Sequence, residues 1–353
     1  MRARVLILEA GHAPSNNLIR SLKAGDPSLV IIGCGESAFF LNKSPAERNY
    51  VLPLSTNEYG AALRRIVETE RIDLIIATTD ADVLRLASLR GALRSRTFLP
   101  ARSVVQRCQD KYALTVFLAE RGIPVPRTHL ITDAGNLEEL FRLFGSASTL
   151  WCRIRAGSGS AGAIPVKNPE QVRAWLAVWA GMRALPPESF TLAEYLPGRD
   201  YCVQCIWNKG QLVLAKMAER ITYLDNGSPS GQSSMPALAK TVFDARAMEV
   251  SVSAIRALDP RASGVFFVDL KENERGDPCI TEINAGRFAT MTNIHDLAGK
   301  HNMAATYVRV ALGRRVRIPN AFDFADGFYL VRSIDTLPAM VRKEELFTKV
   351  TRM

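Results

Sequence analysis

Three oxygen-bearing residues, Asp269, Glu282 and Asn284, are spaced so that one β-hairpin would gather them at a single point. Residues 264–268, Gly-Val-Phe-Phe-Val, read as a buried strand, 273–277 as a polar turn and 279–283 as the returning strand. Asp269 and Glu282 then fall near the same end of neighbouring strands. Side-chain alternation puts Glu282 and Asn284 on one face with Ile280 beside them, and Ile283 opposite. Two carboxylates and an amide carbonyl facing one way suit Mg²⁺, a hard cation that takes a few oxygen ligands and shares the rest with water and nucleotide phosphates. The competing reading is a solvated polar hairpin face.

Phosphates need cations and close backbone approach, and upstream residues offer both. The strand around 151–155 carries Arg153 and Arg155 on one face and runs into Ala-Gly-Ser-Gly-Ser-Ala-Gly at 156–162. A loop of glycine and serine lets N–H groups reach phosphate oxygens, with arginine charge beside it. Lys111 opens the amphipathic helix 110–119, where the macrodipole disfavours a cation, so it reads either as reaching for an anion or as a solvated surface lysine. Between two strands, the segment 189–201 turns through Pro197 and Gly198. Such a hinge can present backbone groups to an adenine edge, and Asp200 can accept hydrogen bonds from ribose.

The elements that must position these groups begin with a βα pattern. Residues 4–8 form a short apolar strand, 15–22 have helical spacing, 29–33 are the next strand, 59–70 the next helix and 72–80 a buried strand with a polar end. Strands alternating with helices imply an α/β, Rossmann-like parallel sheet whose ligands lie at the strands' carboxyl ends, so 11–16 and 78–82 would face one cleft. No GxGxxG occurs there, which argues against a dinucleotide. His12 is a candidate contact in the first loop, and Asp80 and Asp82 are candidate helix caps. Beyond Pro100 the pattern changes, and 123–126, Ile-Pro-Val-Pro, lead into a further strand.

A chain of 353 residues calls for two or three packed units, and 47% apolar with 23% charged residues is a globular composition. No apolar run approaches a membrane span or a signal peptide, so a cytoplasmic location is expected. The six cysteines are scattered. Cys202 and Cys205 sit three apart on a strand, facing opposite ways, and all six read as reduced packing residues. The net charge of +10 is spread as single arginines, without the basic tail or aromatic platforms of a nucleic-acid binder. A cleft that handles phosphates and carboxylates would also be basic.

In order along the chain, Asp110-Lys111, the Ile-Pro-Val-Pro at 123–126, Arg155 with its loop, Glu194-Tyr195-Leu196-Pro197-Gly198, Asp269 and Glu282-Ile283-Asn284 resemble the ATP-grasp superfamily. Within it they are similar to the carbamoyl-phosphate-synthase-like branch of carboxylate–amine ligases, from about residue 4 to 313. The resemblance implies a Rossmann-like pre-ATP-grasp domain (1–105), a small lobe with the phosphate loop (106–192), a large lobe with the metal site (193–315) and a C-terminal extension (316–353), an α+β arrangement in the ATP-grasp part. It implies that Lys111 and Arg155 hold ATP phosphates under the loop bearing Gly157, Ser158, Gly159, Ser160 and Gly162. Glu194 and Leu196 would meet adenine and Asp200 the ribose. Asp269, Glu282 and Asn284 would bind Mg²⁺, with Mn²⁺ as a substitute, and Arg287 would face the phosphoryl group.

The chain departs from the family pattern in three places. Arg155 stands where most members carry lysine, and Arg153 is a rival for that role. Asp200 is one methylene shorter than the usual glutamate. Arg287 comes one residue later than the common spacing. The implied reaction activates a carboxylate as an acyl phosphate and joins it to an amine or ammonia, releasing ADP and phosphate. Alternatives are a kinase-like phosphotransfer and a non-catalytic nucleotide-binding regulator. Expected partners are a small carboxylate and an amine, with a homodimer allowed and no nucleic acid or membrane. Residues 220–236 read as a loop near the cleft that reads the substrate or merely joins strands, and His295 as structural or catalytic in equal measure.

Overall fold

The computed structural model describes residues 2–53, 56–224, 233–325, 328–332 and 350–352. Its first sheet is parallel, in the order Val350–Arg352, Arg48–Val51, Val30–Gly35, Arg4–Ile7, Leu74–Ile76, Arg96–Thr97. Helices Ala13–Gly25, Thr56–Glu70 and Asp80–Leu89 lie in the connections. Strands covered on both faces must be apolar throughout, and Val5, Leu6, Ile7, Leu74, Ile75 and Ile76 are all buried. After Arg48–Val51 the chain crosses to the far side of Arg4–Ile7. That reversal opens a crevice beyond the carboxyl ends of Arg4–Ile7 and Leu74–Ile76. The loops that follow these two strands meet there, with Ser15 Oγ 3.0 Å from Thr78 Oγ1.

The strand expected over 72–80 is only Leu74–Ile76. Thr79 ends the extended stretch by capping the next helix, its Oγ1 accepting from Asp82 N at 3.2 Å, while Asp80 and Asp82 occupy the first turn instead of the cap. His12 packs its ring 4.3 Å from that of Phe40, with Nε2 3.6 Å from Glu9.

Glu9 lies in the turn after the first strand with φ of 50°, and burial, with Asp82 and Glu36 adding like charge, pushes its carboxyl from the ordinary 4.5 up to about 7. Between these values the folded chain holds a proton that the unfolded chain has released. Stability from this group is therefore fully present below pH 4.5 and is lost as pH rises towards 7. Glu9→Gln is expected to flatten that decline, measured as Tm against pH; an unchanged slope would refute the assignment.

A second, antiparallel sheet runs Thr128–Leu130, Phe190–Glu194, Leu150–Ile154, Ile164–Val166. Leu137–Leu143 and Pro169–Arg183 bury Trp175, Leu176 and Trp179 with Phe190 and Leu192 to form its core. The third sheet is antiparallel with six strands: Pro278–Ala285, Gly264–Glu272, Asp200–Asn208, Gln211–Tyr223, Pro236–Thr241, Tyr329–Val331. Ala245–Leu258 and the pair Arg102–Gln109 and Lys111–Ala119 pack on it.

The chain passes from the second sheet to the third through 195–199. Gly198 N donates to Glu272 O at 3.0 Å, and a Cβ at Gly198 would lie 2.5 Å from Glu272 Cβ, so the turn needs glycine. Arg199 forks onto Glu272, with Nη2 2.7 Å from Oε1, which fixes the joint between the two sheets.

Within residues 316–353, which the sequence leaves without elements, Tyr329–Val331 extends the third sheet and Val350–Arg352 the first. A three-residue edge strand carries too little periodicity to be read in advance. All six cysteines are unpaired and buried. No helix among the described residues is long and apolar enough to cross a membrane.

Candidate functional site

A cavity of about 620 Å³ opens between the second and third sheets. On its floor Asp269 and Glu282 are direct cross-strand partners, and Asn284 lies opposite Phe267 on the same hairpin. A bulge at Asp269/Leu270 inserts Thr281, whose Oγ1 donates to Asp269 O at 3.1 Å. This bulge corrects one expectation. Ile280 packs with Ile283 in the core instead of beside Glu282, because the extra residue resets the alternation. Asp269, Glu282 and Asn284 all line the cavity.

Asp110 caps Lys111–Ala119, its Oδ1 accepting from Ala113 N at 3.0 Å, and this sets Lys111 in the first turn. The lysine is 8% exposed, with Nζ 2.5 Å from Gly157 O and 3.6 Å from Glu282 Oε2. The helix-opening cation therefore points into the cavity at the carboxylate hairpin.

The two arginines do not share a face. Pairing of Leu150–Ile154 ends at Ile154, so Arg155 falls beyond the strand. Its guanidinium forks onto Asp110, at 2.8 Å from Nε to Oδ1 and 2.6 Å from Nη2 to Oδ2, and holds that carboxyl below its ordinary range against the opposing effect of burial. Arg155 does not line the cavity, whereas Arg153 does. Arg153 is 9% exposed, and its Nε has no hydrogen-bond partner among the described residues. Burial lowers its pKa, opposed by the charge of Glu282. A buried, under-bonded guanidinium aimed into a cavity is costly unless an anion completes it. Of the two candidates, Arg153 is the one that lines the cavity.

The loop after it divides similarly. Gly157, Ser158, Gly159 and Ser160 line the cavity, and Gly159 and Ser160 have φ of 70° and 58°. Gly162 does not line it. Its carbonyl accepts from Trp175 Nε1 at 3.0 Å, and a Cβ there would lie 2.4 Å from Ile154. Packing against Ile154 is what requires glycine at 162.

At the other end, Glu194 and Leu196 line the cavity, and Glu194 Oε2 accepts from Arg127 N at 3.3 Å. Asp200 lines it too, held by Arg220, whose Nε lies 3.5 Å from Oδ1, and by the hydroxyl of Tyr223. Arg220 also pairs with Asp269. Sequence reading misses Arg220 because it assigns 220–236 to a loop, while the strand Gln211–Tyr223 carries it directly opposite Asp200. Residues 225–232 of that expected loop lie outside the described residues. Lys271, two residues after Asp269 on its strand, is a second omission; its Nζ is 5.7 Å from the Tyr195 ring centroid. Alternation from Asp269 was the available signal.

Arg287 lines the cavity despite its offset spacing. It donates to Asn284 Oδ1, stacks 4.9 Å from the Phe267 ring and forks onto Asp80, with Nη2 3.1 Å from Oδ2, reaching the crevice of the first sheet. His295 is 1% exposed, neither ring nitrogen has a hydrogen-bond partner among the described residues, and burial pushes its pKa down to about 3, so it is a neutral core residue.

The donors partly fit a divalent cation. Asp269, Glu282 and Asn284 supply hard oxygens from facing strands, but among the described residues no group of three or more His, Cys, Asp or Glu gathers. A metal here depends on the amide oxygen and on ligand phosphates, the usual situation for Mg²⁺.

No protein-family profile matches the chain. A probable alpha-L-glutamate ligase of Teredinibacter turnerae is 24% identical over 221 residues, 61% of this chain. The alignment covers 66% of that relative's length, just under two thirds. Among solved structures, a biotin carboxylase–nucleotide complex from Campylobacter jejuni superposes with a TM-score of 0.71 at 14% identity, covering 91% of this chain and 73% of that one. An N5-carboxyaminoimidazole synthase from Aspergillus clavatus, in complex with ADP, gives 0.67 at 15% identity over 91% and 80%. The chain has the ATP-grasp fold. An L-amino acid ligase from Bacillus licheniformis shares it, with a TM-score of 0.68 at 13% identity over 88% of this chain and 74% of that one.

Proposed function

We propose that this chain is an ATP-dependent carboxylate–amine ligase. The observation that carries the reading is the facing of Lys111 and Arg153 against Asp269, Glu282 and Asn284 across one cavity, roofed by the glycine-serine loop. Ligase activity in the similar proteins named above supports it.

Tyr195, Leu196 and the backbone of the linker border the adenine, Asp200 the ribose, and Lys111, Arg153 and the N–H groups of 157–160 the phosphates. Asp269, Glu282 and Asn284 would hold Mg²⁺, which would supply charge neutralisation at the phosphates. A substrate carboxylate oxygen attacks the γ-phosphorus, the bond to the β-phosphate oxygen breaks, and ADP leaves. Lys111 and Arg153 offset the negative charge on the transferring group. Arg287, beside Asn284, faces the acyl phosphate. An amine nitrogen then attacks the acyl carbon, phosphate departs and the nitrogen loses a proton. Loop 157–160 excludes water that would otherwise hydrolyse the acyl phosphate.

The test is a screen of small carboxylates paired with amines, measuring ADP and product mass. ADP release that requires both partners, with an amide as product, is the expected result. Release with one partner and a phosphorylated product would replace this reading with a phosphotransferase.

A further inference from the structure

Arg220 stands between two functions of the cavity. Its side chain is 11% exposed, and its guanidinium touches Asp269 at the metal end and Asp200 at the ribose end, with Nη2 also donating to Tyr201 O at 3.4 Å. The third sheet fixes this bridge: Arg220 pairs directly with Asp200, and Asp269 lies on the strand at the other side of Asp200–Asn208, opposite Cys202. The geometry points to Arg220 as a guard of the metal carboxylate, one that opposes a bare divalent ion at Asp269 and passes to phosphate oxygens when metal and nucleotide enter together.

This role rests on the ATP-ligase reading and follows from charge. A metal ion taking Asp269 oxygens repels a guanidinium on the same carboxylate, and a bare ion offers that guanidinium nothing in exchange. Displaced from a partly buried pair, the arginine keeps a charge without a full counterion. A metal–triphosphate complex instead brings anionic oxygens into the same cavity, and a planar guanidinium matches phosphate well. Arg287 is not a second such bridge, because its carboxylate partner is Asp80 of the first sheet and not Asp269. Nor is Arg155, since its pair with Asp110 lies outside the cavity lining.

The experiment titrates the full chain with Mn²⁺ alone and with Mn²⁺ plus a non-hydrolysable ATP analogue, by calorimetry. Arg220→Gln is expected to bind bare Mn²⁺ at least about tenfold more tightly and the metal–analogue complex at least about tenfold more weakly. Opposite signs are the signature, because local loosening of the site would weaken both. Arg220→Lys, milder for the fold, is expected to move both constants in the same directions by less, and Arg173→Gln, whose ion pairs with Glu138 and Glu170 lie outside the cavity lining, to leave both unchanged. Unchanged bare-metal affinity in Arg220→Gln, or both constants moving together, overturns the proposal. Its failure is separable from failure of the ligase reading: wild-type protein that binds no metal–analogue complex overturns both, whereas normal wild-type binding with an unresponsive Arg220 variant overturns only this one.

Discussion

Glu282→Ala is expected to lower turnover at least about a hundredfold, equivalent to about 2.7 kcal/mol of transition-state stabilisation, because losing a metal-site carboxylate removes charge and geometry together. Glu282 does two things at once. It is the cross-strand partner of Asp269, and its Oε2 lies 3.6 Å from Lys111 Nζ, so its removal also loosens the phosphate-facing lysine. Steady-state ADP release with rising Mg²⁺ is the measurement. Near-normal turnover in a folded Glu282→Ala protein would end the metal assignment. Recovery at high Mg²⁺ would place the loss in metal affinity instead of in alignment of the phosphates.

The second large effect separates two arginines that the sequence leaves tied. Arg153→Met is expected to lower kcat/KM for ATP by about a hundredfold, since a charge-assisted contact to phosphate in a buried site is worth several kcal/mol. Arg155→Ala is expected to change kcat/KM by no more than about threefold. Its side chain is 36% exposed and its pair with Asp110 is partly screened, so the loss in stability is about 1 kcal/mol or less. Initial rates against ATP concentration, with urea unfolding of both variants, decide the matter. A larger kinetic loss in Arg155→Ala than in Arg153→Met would restore Arg155 to the phosphates.

The contrast between these arginines marks how far the sequence could be read. The βα rhythm of the first hundred residues, the hairpin of Asp269 and Glu282 and the cation opening Lys111–Ala119 were all legible, because each follows from periodicity or from a charge out of keeping with its helix position. Which of Arg153 and Arg155 faces inward depends on the residue at which strand pairing stops, and pairing is a property of the partner strand. Arg220 was hidden for the same reason. Its strand runs to Tyr223 because Asp200–Asn208 and Pro236–Thr241 flank it, and neither contact leaves a local mark. The bulge at Thr281, the strands at 329–331 and 350–352 and the packing role of Gly162 are likewise fixed by distant partners.

The fork of Arg287 onto Asp80 joins positions 207 residues apart, one at the head of a helix on the parallel sheet and the other beside Asn284. Reversing either charge alone would leave two like charges facing one another at the edge of the cavity. The two halves of the chain are therefore not free to drift separately: in descendants of this protein, a change at one of these sites should be accompanied by a compensating change at the other.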